Sequence, residues 1–374
     1  MSSIYGEHLK LSIFGESHGP AIGVVLDGLP SGILLDFERI SHEMGRRRPN
    51  GGAYSTKRKE TDEVEIISGV HQGRTTGTPL CAMIRNQDTH SADYGDLEHL
   101  LRPGHADFTG FVRYKGFNDI RGSGHFSGRL TAPLVFAGAV AQHLLDEQGI
   151  VIGSHMDTLY DMKDIGFDKA GISEEQLLAL RAMDLPVNDL SCRQVYLEII
   201  EEARKNSNSV GGIVETAAIG LPAGLGSPIF NNVEARLSSM LFSIPAIKGV
   251  EFGEGFGITS LYGSEANDLF YTDGETIRTR TNHNGGINGG ITNGMPLVFR
   301  VAVKPTASIS MEQETVDIKS MENANLKVRG RHDACIVPRA VPVIEAATAI
   351  VLCDMLMGQF GLETFSEGSK AHGG

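Results

Sequence analysis

The chain has 374 residues, 41% of them apolar, enough for one large domain or two ordinary ones. Its formal net charge is −13, which argues against nucleic acid as the main partner, since such proteins carry a basic face. Cys81, Cys192, Cys335 and Cys353 are scattered with no C-x-x-C pair, which excludes a zinc knuckle or redox dithiol and predicts reduced thiols in a cytoplasmic protein.

The N-terminus, MSSIYGEHLK, has no apolar run of the signal-peptide kind. Leu9, Leu11 and Ile13 alternate with polar residues and predict a strand. GESHGP turns the chain, and Ile22 to Leu26 predicts a second strand, ended by DGLPSG, so a hairpin is expected. Helical spacing at Phe37, Ile40 and Met44 predicts a helix over 36–48, with Asp36 as N-cap and Pro49-Asn50-Gly51-Gly52 as its stop. Short strands are expected at 64–69 and 79–84. Residues 131–145, TAPLVFAGAVAQHLL, are apolar nearly all round and predict a buried helix.

Ser173 to Gln176 reads as a capping box opening a helix over 173–185, and 195–206 and 231–242 carry further helical periodicity. Residues 281–294 form a glycine loop, and 297–303 alternate as a strand. VIEAATAIVLCDMLMGQFG is interrupted by Glu345 and Asp354, which favours a buried helix over a membrane span. Residues 369–374 are expected to fray. The whole reads as a single α+β domain over 1–368, with 160–206 a possible peripheral insertion.

Gly15-Glu16-Ser17-His18-Gly19 fits the G-x-S-x-G elbow of serine hydrolases. That elbow needs strand-turn-helix, and the pattern here predicts strand-turn-strand, so Ser17 is not read as a nucleophile. Beside it, His18 sits in a glycine turn. Five other stretches place cationic or polar residues among glycines: RRRPNGG, RPGHADFTG, RGSGHFSGR, NHNGGINGGITNG and RGRHDAC. Each alone reads as a solvated face or a turn. Together, in an acidic chain, they predict an anion-binding pocket with histidines placed for proton transfer.

With these residues assembled, the sequence resembles the chorismate synthase family over essentially its whole length. FGESHGPAIGVVLDGLP, GSGHFSGRLTAPLVFAGAV and RHDACIVPRAVPVIEAA match its three signatures, with SIPAIKGVEFGEGF, TNHNGGINGGITNGMP and VKPTASIS between them in family order. The resemblance implies a β-α-β sandwich, a homotetramer and a carbon–oxygen lyase. The implied reaction is the anti-1,4-elimination of phosphate from 5-enolpyruvylshikimate 3-phosphate to give chorismate, the last common step of aromatic amino acid biosynthesis through the shikimate pathway. Reduced FMN is required although no net redox change occurs.

Residue by residue, Arg47, Arg48, Ser127, Arg129 and Arg331 stand at substrate motifs; a guanidinium fork suits phosphate and carboxylate. His18 matches the histidine that assists phosphate departure, His105 the one that protonates reduced flavin, and Asp333 the aspartate that works with flavin N5 as a base. The FMN positions are His125, Phe126, Ser127, Pro245, Ala246, Gly289, Lys304, Pro305, Thr306, Ala307, Ser308 and Arg331. Two departures stand out. Ala53 lies where many members carry an arginine, with Lys57 or Arg58 the nearest replacements. His125 and Phe126 replace an arginine and a serine, a swap that a backbone contact tolerates. Some members reduce FMN with NADPH; with no additional dinucleotide domain visible, an external flavin reductase is the expected source. The competing readings are a non-catalytic anion- or flavin-binding protein and the serine hydrolase.

Overall fold

The strands Lys10–Gly15 and Ala21–Asp27 pair antiparallel with Gly15 opposite Ile22, so the GESHGP segment is the turn of a hairpin. The computed structural model describes residues 3–49, 61–87, 99–328 and 333–365. The hairpin is the middle of an antiparallel sheet, completed by Ile4–Tyr5 on one side and by Leu80–Arg85 and Val64–Ser68 on the other. A second antiparallel sheet has the order Ile247–Phe252, Leu297–Val303, Gly212–Ile219, Val151–Leu159, Met162–Lys163.

Two apolar helices lie between the sheets. Thr131–Glu147 packs on the first sheet and touches the second, and Val337–Phe360 packs on the second. They meet closely at Gly138, where a Cβ would stand 2.1 Å from the Ala346 Cβ. Glycine is what lets the two backbones approach. The helices Phe37–Arg47 and Val233–Leu241 flank this layer. The result is the expected α+β architecture, a sheet–helix–sheet sandwich.

Local sequence accounts for many boundaries. The Asp36 side chain caps its helix by accepting the Arg39 N–H at 2.9 Å. Ser173 accepts the Gln176 N–H at 3.1 Å, but the Gln176 side chain turns to Asn188 instead of closing the box, and that helix spans Glu174–Arg181. Val337–Phe360 is long and apolar enough to cross a membrane, yet it is almost wholly buried within the chain. Its two carboxylates are neutralised there: Glu345 pairs with Arg46, and Asp354 pairs with Arg236 and accepts the Leu9 N–H at 2.8 Å. All four cysteines are free thiols, and burial pushes Cys335 up to about 12.

The second sheet is covered on both faces. The inward residues Ile152, Met156, Val214 and Val301 join the main core. On the outward face, Val151, Ala217 and Val298 pack with Phe167, Leu177 and Leu180 from the 160–206 segment, which lies over this sheet. The same face buries His155 between Asp164, 3.0 Å from Nδ1, and Glu215, 2.9 Å from Nε2. Burial works against the imidazolium, but the two carboxylates outweigh it and raise the His155 pKa. Those carboxylates are themselves held below their usual range, burial being outweighed mainly by the bond to His155.

A raised histidine pKa stabilises fully below the unfolded value, about 6.5, and the benefit is lost as pH rises through the folded value. Depressed carboxylates stabilise above about 4 and lose the benefit as pH falls. The cluster is therefore worth most between those limits. Replacing His155 with Gln is expected to cost roughly 3–5 kcal/mol near pH 6, as for a broken buried ion pair, and less as pH rises beyond neutrality. Urea titrations of both proteins across pH check this. A pH-independent difference would mean the ring is never charged.

Candidate active site

Three consecutive arginines end the Phe37–Arg47 helix and its cap, and successive residues point about 100° apart. Arg46 therefore turns into the core, to Glu43 and Glu345. Arg48 faces outward and donates to the Thr61 carbonyl at 2.9 Å. Arg47 alone enters a cleft of about 1050 Å³ between the central helices and the loops over them. That volume is at the upper end of the range for a single small-molecule site.

In the cleft, Arg47 donates to Asp62 at 2.8 Å and to the Thr131 hydroxyl at 3.1 Å. Arg129 binds the other oxygen of Asp62 and reaches Asn86 Oδ1 at 3.2 Å. Arg339, at the start of the Val337–Phe360 helix, pairs with Asp333 and donates to the Arg47 carbonyl at 2.9 Å. Burial, with Arg339 and Arg129 close by, pulls the Arg47 guanidinium down to about 9 against the pull of Asp62. It remains charged at neutral pH, but the group is crowded with cations. Lys248, Lys304 and Arg102 also line the cleft. Among the described residues, six cationic side chains thus stand against three paired carboxylates, Asp62, Asp107 and Asp333.

The glycine motifs are docked on one another. The Ser17 N–H donates to the Gly124 carbonyl at 3.1 Å, and His125 Nδ1 lies 3.0 Å from the Gly15 carbonyl. Asn86 Nδ2 donates to the Glu16 and Gly19 carbonyls at 2.9 and 2.8 Å, tying the hairpin turn to Arg129. His18 is buried directly behind Gly122. A Cβ at Gly122, whose φ is +57°, would lie 2.2 Å from the His18 ring. His18 therefore lies one residue layer behind the cleft lining. Ser17 is buried in a strand-turn-strand setting, as the sequence pattern predicts.

His105 lines the cleft with Nδ1 turned to Asp107 Oδ1 at 2.6 Å. Arg102 clamps Asp107 through its backbone N–H, Nε and Nη2 at 2.9, 2.8 and 2.7 Å. It also reaches the Ser123 and Ser308 hydroxyls at 3.1 and 3.3 Å, so one side chain joins three loops. Burial would raise the Asp107 carboxyl, but the hydrogen bonds from Arg102 and His105 outweigh it and hold it well below the usual range.

Pro245, Ala246 and Lys304 to Ser308 also line the cleft, as do His125, Phe126 and Ser127. The Ser127 hydroxyl accepts the Arg129 N–H at 3.2 Å. Lys304 bonds the Gly104 carbonyl, and burial followed by Lys248 nearby lowers its pKa. The Thr306 hydroxyl is buried without a hydrogen-bond partner among the described residues. A lysine and an unanswered hydroxyl on one loop fit a phosphate group.

The structure thus gathers Arg47, His105, His125, Phe126, Ser127, Arg129, Pro245, Ala246, Asp333 and the 304–308 loop around one cleft. Arg48 is turned away from it. Gly289 sits exposed in the turn between Ile287–Asn288 and Ile291–Thr292, apart from the lining. Arg331, Ala53, Lys57 and Arg58 lie outside the described residues. Sequence reasoning passed over Asp62, Asn86, Arg102, Asp107, Lys248 and Arg339. The signal within reach was the compact Arg-Pro-Gly-His-Ala-Asp run, where a histidine is followed two residues on by a carboxylate.

Set in a sheet–helix–sheet sandwich, the cleft combines cationic side chains with a histidine–carboxylate pair, an arrangement suited to an anionic small molecule. The chorismate synthase family model matches residues 9–357. A chorismate synthase from Thermococcus kodakarensis is 48% identical over 94% of this chain and 97% of its own. One from Dehalococcoides mccartyi is 46% identical over 96% and 97%. A crystal structure of chorismate synthase superposes with a TM-score of 0.75 at 31% identity, covering 96% of this chain and 94% of that one. The chain belongs to the chorismate synthase family, a family of lyases acting on a phosphate-bearing substrate.

Proposed function

We propose that the chain converts 5-enolpyruvylshikimate 3-phosphate to chorismate and inorganic phosphate, using reduced FMN, in the cytoplasm and as a homotetramer. The observation that carries this reading is the excess of cations around Arg47. A substrate with one phosphate and two carboxylates, beside a cofactor with its own phosphate, relieves that crowding.

The elimination breaks the carbon–oxygen bond to phosphate and removes a hydrogen from a second carbon, with no net oxidation. Reduced FMN, when bound, supplies electron density for this step. The rest falls to the protein. Arg47 and Arg129, held by Asp62, meet oxyanions of the substrate, as does Arg339. His18, behind Gly122, neutralises charge as phosphate departs. His105 holds a proton on the cleft side, and Asp333 serves as a base. Lys304 and Thr306 are suited to the cofactor phosphate. The reductant is taken to be an external flavin reductase, with NADPH its indirect source.

The test is phosphate release from the substrate under anaerobic conditions, with pre-reduced FMN and with oxidised FMN. Turnover only with reduced FMN is expected. Binding of both ligands without phosphate release would favour a non-catalytic binding protein instead. Turnover on adding NADPH to oxidised FMN would replace the external reductant with self-reduction.

A further inference from the structure

We propose that Asp107 is a positioning residue that fixes the proton of neutral His105 on Nδ1, leaving Nε2 as the nitrogen that exchanges protons in the cleft. The inference rests on the proton-transfer role given to His105 above.

It follows from counting donors and acceptors around one carboxylate. Oδ2 of Asp107 accepts the Arg102 backbone N–H and Nε–H. Oδ1 accepts Arg102 Nη2–H and lies 2.6 Å from His105 Nδ1. Arginine has no acceptor to offer and keeps its charge, so the carboxylate stays ionised and can only accept. The proton between Asp107 and His105 must then come from Nδ1. Arg102 Nη2 is also 3.1 Å from Nδ1, but the Asp107 oxygen is nearer, at 2.6 Å, and two acceptors do not approach so closely without a proton between them. Nδ1 is therefore a donor, and Nε2 is the free site of the neutral ring.

The same count predicts what an amide does. In Asp107→Asn the oxygen takes the Oδ2 position, where two Arg102 donors converge. The NH2 group then faces His105 and makes Nδ1 an acceptor, which moves the ring proton to Nε2. A ring with its proton on the wrong nitrogen loses roughly 10²–10⁴-fold in turnover, the range known for general acid–base groups and misplaced tautomers.

The experiment pairs nitrogen NMR of the His105 ring, titrated to its neutral form, with phosphate release by wild type, Asp107→Asn, His105→Ala and the double variant. The expected result is an Nδ1–H ring in wild type, an Nε2–H ring in Asp107→Asn, and no added loss when Asp107→Asn is placed on His105→Ala. An Nε2–H ring in wild type overturns the inference even if the variant fails to fold. So does Asp107→Asn turning over at the wild-type rate, or losses that multiply in the double variant. Wild type that releases no phosphate with reduced FMN defeats the functional reading instead, and the ring spectra still decide the tautomer.

Discussion

Asp62→Asn is expected to lose roughly 3–5 kcal/mol of stability, the cost of breaking a buried ion pair from one side. The Asp62 side chain has no exposed surface and holds two arginines, one on each oxygen. Its backbone is left-handed, with φ +51°, a conformation asparagine tolerates better than alanine, so the amide variant isolates the charge. An amide can accept from only one arginine and must present a donor to the other. Burial favours the neutral acid, but Arg47, then Arg129, hold the carboxyl below its usual value. Its contribution is thus present above about pH 4 and lost as pH falls through the folded value.

The variant should also respond to anions in a way wild type does not. Without Asp62, Arg47, Arg129 and Arg339 face one another with one carboxylate fewer. Inorganic phosphate can fill that place, so the urea midpoint of Asp62→Asn should rise with phosphate concentration more steeply than that of wild type. Equal slopes would mean that the arginines do not share an anion site. Substrate should bind more weakly to the variant, because the forks of Arg47 and Arg129 lose the group that aims them.

Asp62 also marks where sequence reading stops. Periodicity located the Lys10–Gly15 and Ala21–Asp27 hairpin and the helices at 37–47 and 131–147, because one face or a whole surface of each is apolar. It passed over Val151–Leu159 and Gly212–Ile219. Those strands are buried on both faces, and the buried side chains include His155, Asp157 and Glu215, so no alternation of apolar and polar survives. The site divides in the same way. Arg47, His105 and Asp333 are legible as residue types in family motifs. That Arg46 and Arg48 turn elsewhere follows only from the helix phase and from Glu345, far along the chain. Asp62 and Asn86 have no local mark, because their partners are distant in sequence. Burial without alternation, and pairing at long range, are what a linear pattern cannot carry.

Removing the proton-handling groups one at a time should separate chemistry from binding. His105→Ala is expected to lower turnover by roughly 10²–10⁴-fold while leaving the urea midpoint near wild type, because His105 lines the cleft and packs little of the core. Asp333→Asn should lose turnover on a similar scale. It also leaves Arg339 facing an amide, so a modest rise in KM should accompany the fall in kcat. His18→Ala differs from both. Its ring is buried against Gly122, so the variant leaves a void behind the loop that also carries Ser123, a partner of Arg102. His18→Gln or His18→Asn, which fills more of that space with a neutral donor, is the cleaner probe. If His18 neutralises the leaving phosphate, such a variant keeps the fold and loses turnover, because a neutral amide answers developing charge less well than an imidazolium. Phosphate release under anaerobic conditions with pre-reduced FMN reads all three sites without depending on the reductant. Near-wild-type rates in every variant would remove the proton-handling roles and leave the cleft as a binding site alone. A loss confined to His105 and Asp333 would keep those two roles and make His18 a packing residue beneath Gly122.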